Sequence, residues 1–207
     1  MACDKCAAAS GPFCSSCGDL LPLPAGISPF AVFGLPEKFT VDAAALEARR
    51  LELSRALHPD RFVRAASGEK RRALEWTTAL NDAFRLLQSP EERADFLLKR
   101  RGVDLSSETG EAAMRRLSPE FLEAVLEERE ALFEAEADDN HEAAEELAEK
   151  IRARMSENRQ RLISAFAQLE AHPSDEARDE AASCLAHLRY DARFLEEADR
   201  FEMESLD

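Results

Sequence analysis

Two groups of residues in this 207-residue chain have the types and spacing of chemistry. The first is Cys3, Cys6, Cys14 and Cys17 in CDKCAAASGPFCSSCG, a CxxC-x7-CxxC arrangement. Two-residue spacers let each pair chelate one ion, and Gly18 suits the turn that aims backbone N–H groups at a thiolate. Four thiolates favour tetrahedral zinc in a closed, structural site; iron, which the same ligands accept, is the runner-up. The second group is His58-Pro59-Asp60 in LSRALHPDRFVRA. An imidazole and a carboxylate so close resemble an acid–base pair, but catalysis also needs a nucleophile or metal, a pocket and a group that orients the imidazole. None is recognisable nearby, and a solvent-facing loop lacks the desolvation that such chemistry uses. This reading predicts no enzyme; taken alone, the tripeptide is as readily an accidental loop between helices.

The charge distribution narrows the partners. Residues 1–105 carry 15 Lys/Arg and 14 Asp/Glu, whereas residues 106–207 carry 12 and 28, a net charge of −16. Such a field repels nucleic acid. One positive island, Arg49 to Arg72, has eight basic and three acidic residues. No apolar run approaches the roughly 20 residues that span a bilayer. The N-terminus reads as neither a signal peptide nor an Arg-rich transit segment. Cytoplasmic location is therefore expected, bacterial in preference to the mitochondrial matrix, with no membrane, nucleic acid or small-molecule substrate. Paired CxxC in such a compartment reads as metal before disulfide.

The elements that must position these residues are helical. Residues 1–26 hold three of the seven Gly and three of the nine Pro without apolar periodicity, as in a small metal-folded segment and linker with no core of its own. From 27 to 103, SPFAVFGLP predicts a short helix ended at Gly34. Asp42 caps a second helix with a Leu46, Leu53, Leu57 stripe, which Pro59 ends. A third helix carries Leu80, Phe84 and Leu87, and Ser89-Pro90-Glu91-Glu92 opens a fourth as a capping box. Residues 104–207 predict three long helices, with Ser118 and Ser174 beside Pro119 and Pro173 as breaks. Stripes at Leu147, Ile151, Met155, Leu162, Phe166, Leu169 and at Ala177, Ala181, Leu185, Leu188, Leu195, Ala198 close as a bundle. Cys184 reads as a small core residue; His141, His172 and His187 lack ligand spacing and read as structural. The fold class is all-α.

The basic second helix, His58-Pro59-Asp60, Leu80-Asn81-x-Ala83-Phe84-x-x-Leu87 and Ser89-Pro90-x-x-Arg93-x-x-Phe96 together resemble the J domain, over residues 28–101. The resemblance implies that this face docks on an acidic patch of a DnaK-type chaperone ATPase, whose own site hydrolyses ATP. It implies that Asp60 pairs with a partner arginine, that His58 and Pro59 fix the loop, and that Arg49, Arg55 and Arg61 steer docking. Arg50 departs from the pattern, standing where relatives place an apolar residue; either the stripe shifts or its stem lies along it with the head in water.

The FxVFGLP near the N-terminus, RADFLL and FLEAVLEEREALFEAE are similar to the HscB family, J-domain co-chaperones of iron–sulfur cluster biogenesis, over residues 28 to about 203. The tetracysteine segment resembles the N-terminal extension of its animal mitochondrial members. The resemblance implies an L-shaped molecule whose J domain engages an HscA-type ATPase and whose bundle holds an IscU-type scaffold. The implied scaffold contacts are Leu122, Leu126, Glu127, Glu130, Glu134 and Tyr190, on a face apolar at one end and acidic at the other. By periodicity alone, Leu122 and Leu126 could equally be bundle core with Phe121, Val125 and Leu132, and the glutamates a solvated face. Glu123 departs from the family, where a hydrophobic contact is usual. A general J-domain adaptor with a different client is the alternative.

Overall fold

Gly18 sits at φ +76, a left-handed conformation that glycine adopts without a Cβ clash, and closes a tight hairpin. Its N–H donates to the Cys14 carbonyl, the Cys14 N–H donates to Asp19 O, and Phe13 bridges Leu20 antiparallel. This is the first feature of the computed structural model, which describes residues 11–106 and 116–204, with side chains to 201. Cys3 and Cys6 lie outside the described residues. The segment that reads as a linker is fastened down: Leu20 and Leu21 are buried, and their carbonyls accept bonds from the Arg72 guanidinium (3.2 Å) and the Trp76 indole N–H (2.8 Å).

Four helices follow: α1 Pro29–Phe33, α2 Ala43–Leu57, α3 Ser67–Gln88 and α4 Pro90–Lys99. Each boundary has a local cause. Gly34, at φ +70, ends α1. The Asp42 carboxylate accepts from the N–H groups of Ala44 and Ala45, satisfying donors that α2 leaves open. Ser89 does the same for Glu92 at the start of α4. Leu46, Leu53 and Leu57 of α2 are buried, as are Trp76, Leu80 and Leu87 of α3. Phe84 is half-buried, and the Arg50 guanidinium lies 4.8 Å from its ring centre while paired with Glu47. Arg50 therefore covers the stripe as a cation with its partner on the same helix. The chain divides into two compact units between Arg93 and Ala94, inside α4.

The second unit is built on α5 Pro119–Ala137, α6 His141–Ala171 and α7 Asp175–Glu204. Ser118, Asn140 and Ser174 cap them through their side-chain oxygens. Ile151, Met155, Leu162, Phe166 and Leu169 are buried, as are Ala181, Leu185, Leu188 and Ala198; Leu147 and Leu195 are half-buried at the margin. Asn158 fills the gap between Met155 and Leu162 and donates to the carbonyl of buried Cys184.

Charges occur where the apolar stripe alone predicts none. Glu128 is 2% exposed and Asp191 is 0% exposed. The Arg154 guanidinium reaches both, 2.9 Å to Glu128 Oε1 and 2.5 Å to Asp191 Oδ1, and Lys150 adds a second contact to Glu128 at 3.1 Å. Burial raises the Asp191 pKa, and the hydrogen bond from Arg154 opposes that shift. Since α5, α6 and α7 each supply one member, sliding any helix by a turn strands a buried charge. Replacing Arg154 with Met leaves buried Asp191 without its cation and Glu128 with Lys150 alone; the expected loss of unfolding free energy, read from urea denaturation, is roughly 3 kcal/mol.

Candidate functional site

Proline determines the first surface. Pro59 has no N–H to continue α2 and forces His58 into an extended conformation (φ −56, ψ 133). The chain then makes a 3-10 turn over Pro59–Phe62, held by Arg61 N–H to His58 O and anchored by buried Phe62. His58 Nδ1 accepts from the Asp60 N–H at 3.3 Å and lies 3.5 Å from the Asp60 carboxylate. The two side chains are 59% and 85% exposed. Asp60 meets no Lys or Arg among the described residues, so it presents an open carboxylate to solvent.

The three implied steering cations divide. Arg55 and Arg61 are exposed and meet no carboxylate among the described residues, whereas half-buried Arg49 is paired with Glu52 at 2.6 Å. Beside the loop lies a cleft of about 420 Å³ between the 3-10 turn and α3, lined by Leu57, Pro59, Phe62, Ala73 and Leu74. Leu74 and neighbouring Val63 are exposed apolar side chains. The cleft is absent from the sequence reading; its trace there is that Val63 and Leu74 fall off the buried stripes.

The second surface is the outer side of α5. Phe121, Val125 and Leu132 face the core, which separates them from the residues of interest. Leu122 is half-buried and Leu126 is 64% exposed; Glu127, Glu130 and Glu134 are exposed and meet no cation among the described residues. Leu126 is thus no core residue. Phe133, absent from the sequence reading, is 71% exposed. Its spacing of seven from Leu126 is the signal that marks it. The apolar character of this side therefore runs past the first glutamates instead of giving way to them.

Tyr190 reaches α5 from α7. Its ring stands edge-on to Phe121 at 5.9 Å, and the Arg129 guanidinium, tied to Glu197, lies 5.8 Å from the ring centre. Beneath them His187 stacks on Phe121 at 4.1 Å. Burial, with the charges of Arg161 and Arg154, lowers the His187 pKa from 6.5 to about 4. The unfolded chain thus takes up a proton near pH 6.5 and the folded chain only near 4. The stability this residue contributes above pH 6.5 is lost as pH falls toward 4. Replacing His187 with Phe removes that proton uptake, and thermal melts of the variant are expected to show a flatter pH dependence in this window.

The third feature is the Cys14–Cys17 hairpin. Two cysteines on a tight, glycine-closed turn have the donor chemistry of one half of a four-thiolate zinc site. Cys3 and Cys6, the expected other half, lie outside the described residues. Among the described residues no three His, Cys, Asp or Glu side chains form a metal-binding group, and no helix is long and apolar enough to cross a membrane.

A J domain with an exposed His-Pro-Asp turn, followed by a three-helix bundle, defines a class of chaperone partner, and comparison with known proteins agrees. Residues 117–199 match the family described as HSCB C-terminal oligomerisation domain. The co-chaperone protein HscB homolog of Azoarcus sp. (strain BH72) is 35% identical over 170 residues, covering 82% of this chain and 90% of the relative. That of Cupriavidus taiwanensis is 39% identical over 148 residues, covering 72% and 80%. The crystal structure of human co-chaperone protein HscB matches with a TM-score of 0.76 at 28% identity, over 99% of this chain and all of that one. This chain belongs to the HscB co-chaperone family.

Proposed function

We propose that the protein stimulates the ATPase of an HscA-type chaperone through its J domain and delivers an IscU-type iron–sulfur scaffold to it on the bundle. It acts in the cytoplasm and performs no catalysis of its own. The observation that carries the first half is the open Asp60 carboxylate, held by the His58 turn beside Arg55 and Arg61, which meet no carboxylate among the described residues. An exposed carboxylate flanked by exposed cations suits a surface that presents one arginine within an acidic patch. Long-range attraction brings the two together, and the carboxylate–arginine contact sets the docked pose. Hydrolysis then proceeds in the partner.

The bundle supports the second half by offering apolar contacts next to unneutralised glutamates on a helix whose other side is locked into the core. Asp60→Asn keeps the size and hydrogen bonding of the loop but removes its charge. In a steady-state assay with the HscA-type chaperone and the scaffold, the variant is expected to lose at least about tenfold of its stimulation. Wild-type stimulation would reject the docking role. Persistent stimulation by the wild-type protein without any binding of the scaffold would instead indicate an adaptor for another client.

Cys3, Cys6, Cys14 and Cys17 would hold a structural Zn2+. Bound zinc would close the two CxxC elements on each other; the described half of the site fits that role. The hairpin is reported on by a nearby probe, because the chain has one tryptophan and the Trp76 indole N–H donates to Leu21 O on that hairpin. Elemental analysis should find one zinc per chain. Strong chelation should shift Trp76 emission and lower the melting temperature, and neither change should occur in the Cys14→Ser, Cys17→Ser double variant. Stoichiometric iron with visible colour would replace zinc by iron in this site.

A further inference from the structure

Phe133 is the most exposed large hydrophobic side chain among the described residues. A phenylalanine ring in water at 71% exposure is unfavourable, and neither the fold of the bundle nor the contacts described above use it. Its position on α5 is informative. At about 100° per residue, Leu122, Leu126 and Phe133 fall within roughly 40° of one another around the helix, and they span about 16 Å along it. Glu123, Glu127, Glu130 and Glu134 form a second row, displaced by about 90° from the first and running alongside it. Arg129 lies between Leu126 and Phe133, but its guanidinium is drawn away to Glu197 and over Tyr190, so it interposes no free cation.

We infer that Phe133 is a binding residue for the scaffold, extending the Leu122–Leu126 contact into one continuous apolar ridge with an acidic row along its flank. The inference rests on the scaffold reading above and adds the chemistry of the partner surface: an apolar groove about three helical turns long, bordered on one side by Lys or Arg. Charge decides the occupant. All four glutamates of the flanking row are exposed and meet no cation among the described residues. A second copy of this chain would bring acid against acid, whereas a basic-rimmed partner neutralises the row on docking.

The test is calorimetric titration of full-length protein with purified IscU-type scaffold. Phe133→Ala is expected to weaken binding about tenfold or more, comparably to Leu126→Ala, while Phe133→Leu retains most of the affinity. Because Phe133 is exposed, the melting temperature of Phe133→Ala should match wild type, which separates lost contact from lost fold. Glu130→Lys should also weaken binding, with the loss reduced at high salt. Affinity within twofold of wild type for Phe133→Ala, with Leu126→Ala clearly weakened, overturns the extended ridge and leaves the scaffold site standing. Wild-type affinity for both variants overturns the scaffold reading as well. A wild-type dimer in light scattering that Phe133→Ala converts to monomer overturns the inference in favour of a second copy.

Discussion

One guanidinium fixes the arrangement of the three-helix bundle. Arg154 on α6 meets Glu128 on α5 and Asp191 on α7, so three helices that could otherwise slide along their apolar stripes have one register in which no buried charge is stranded. The same contact sets the rotation of α5. With Glu128 turned inward among Phe121, Val125 and Leu132, the opposite side of the helix must carry Leu126, Glu127, Glu130 and Phe133 outward. What the protein offers to a partner is thus decided by an interaction the partner never touches. Lys150, near the surface, gives Glu128 a second cation and offsets part of the cost of burying its carboxylate.

The J domain solves a different problem, that of keeping a charged group available. A carboxylate on a helix surface readily finds a lysine or arginine one turn away, as Glu52 finds Arg49 and Glu47 finds Arg50. Pro59 prevents this by ending α2 before Asp60. The 3-10 turn then holds Asp60 against the His58 ring, beyond the reach of the helix cations. The cleft beside the turn adds apolar surface within the same footprint. Polar recognition and hydrophobic contact are thereby offered side by side on α2, α3 and the turn between them.

Much of this was legible in the residues. Asp42, Ser89, Ser118 and Ser174 each cap where a short polar side chain precedes an apolar period, because the first N–H groups of a helix need acceptors wherever the helix packs. The J-domain stripe of Leu46, Leu53 and Leu57 is buried as its spacing requires. Pairings across long sequence separations were not legible. Glu128 and Asp191 look like surface residues until Arg154 is brought to them, and one glutamate among many on α5 has no local mark of burial. Leu126 illustrates the reverse ambiguity, since spacing alone allows it to be core or contact, and only the placement of Val125 and Glu128 decides. The Trp76 bond to Leu21 spans 55 residues, so the segment that reads as a linker shows its attachment only in three dimensions.

Cys184 has a consequence for metal traffic. Its side chain is buried in the bundle, with Sγ 3.7 Å from a Glu180 oxygen, and burial together with that negative neighbour pushes the thiol pKa up to about 11. At neutral pH only about one molecule in ten thousand then carries a thiolate there. A co-chaperone that handles thiolate-ligated clusters, as proposed, risks becoming a ligand for its own cargo. In this bundle the one cysteine is buried and kept protonated, so it would compete neither for iron nor in disulfide exchange with a scaffold held as proposed.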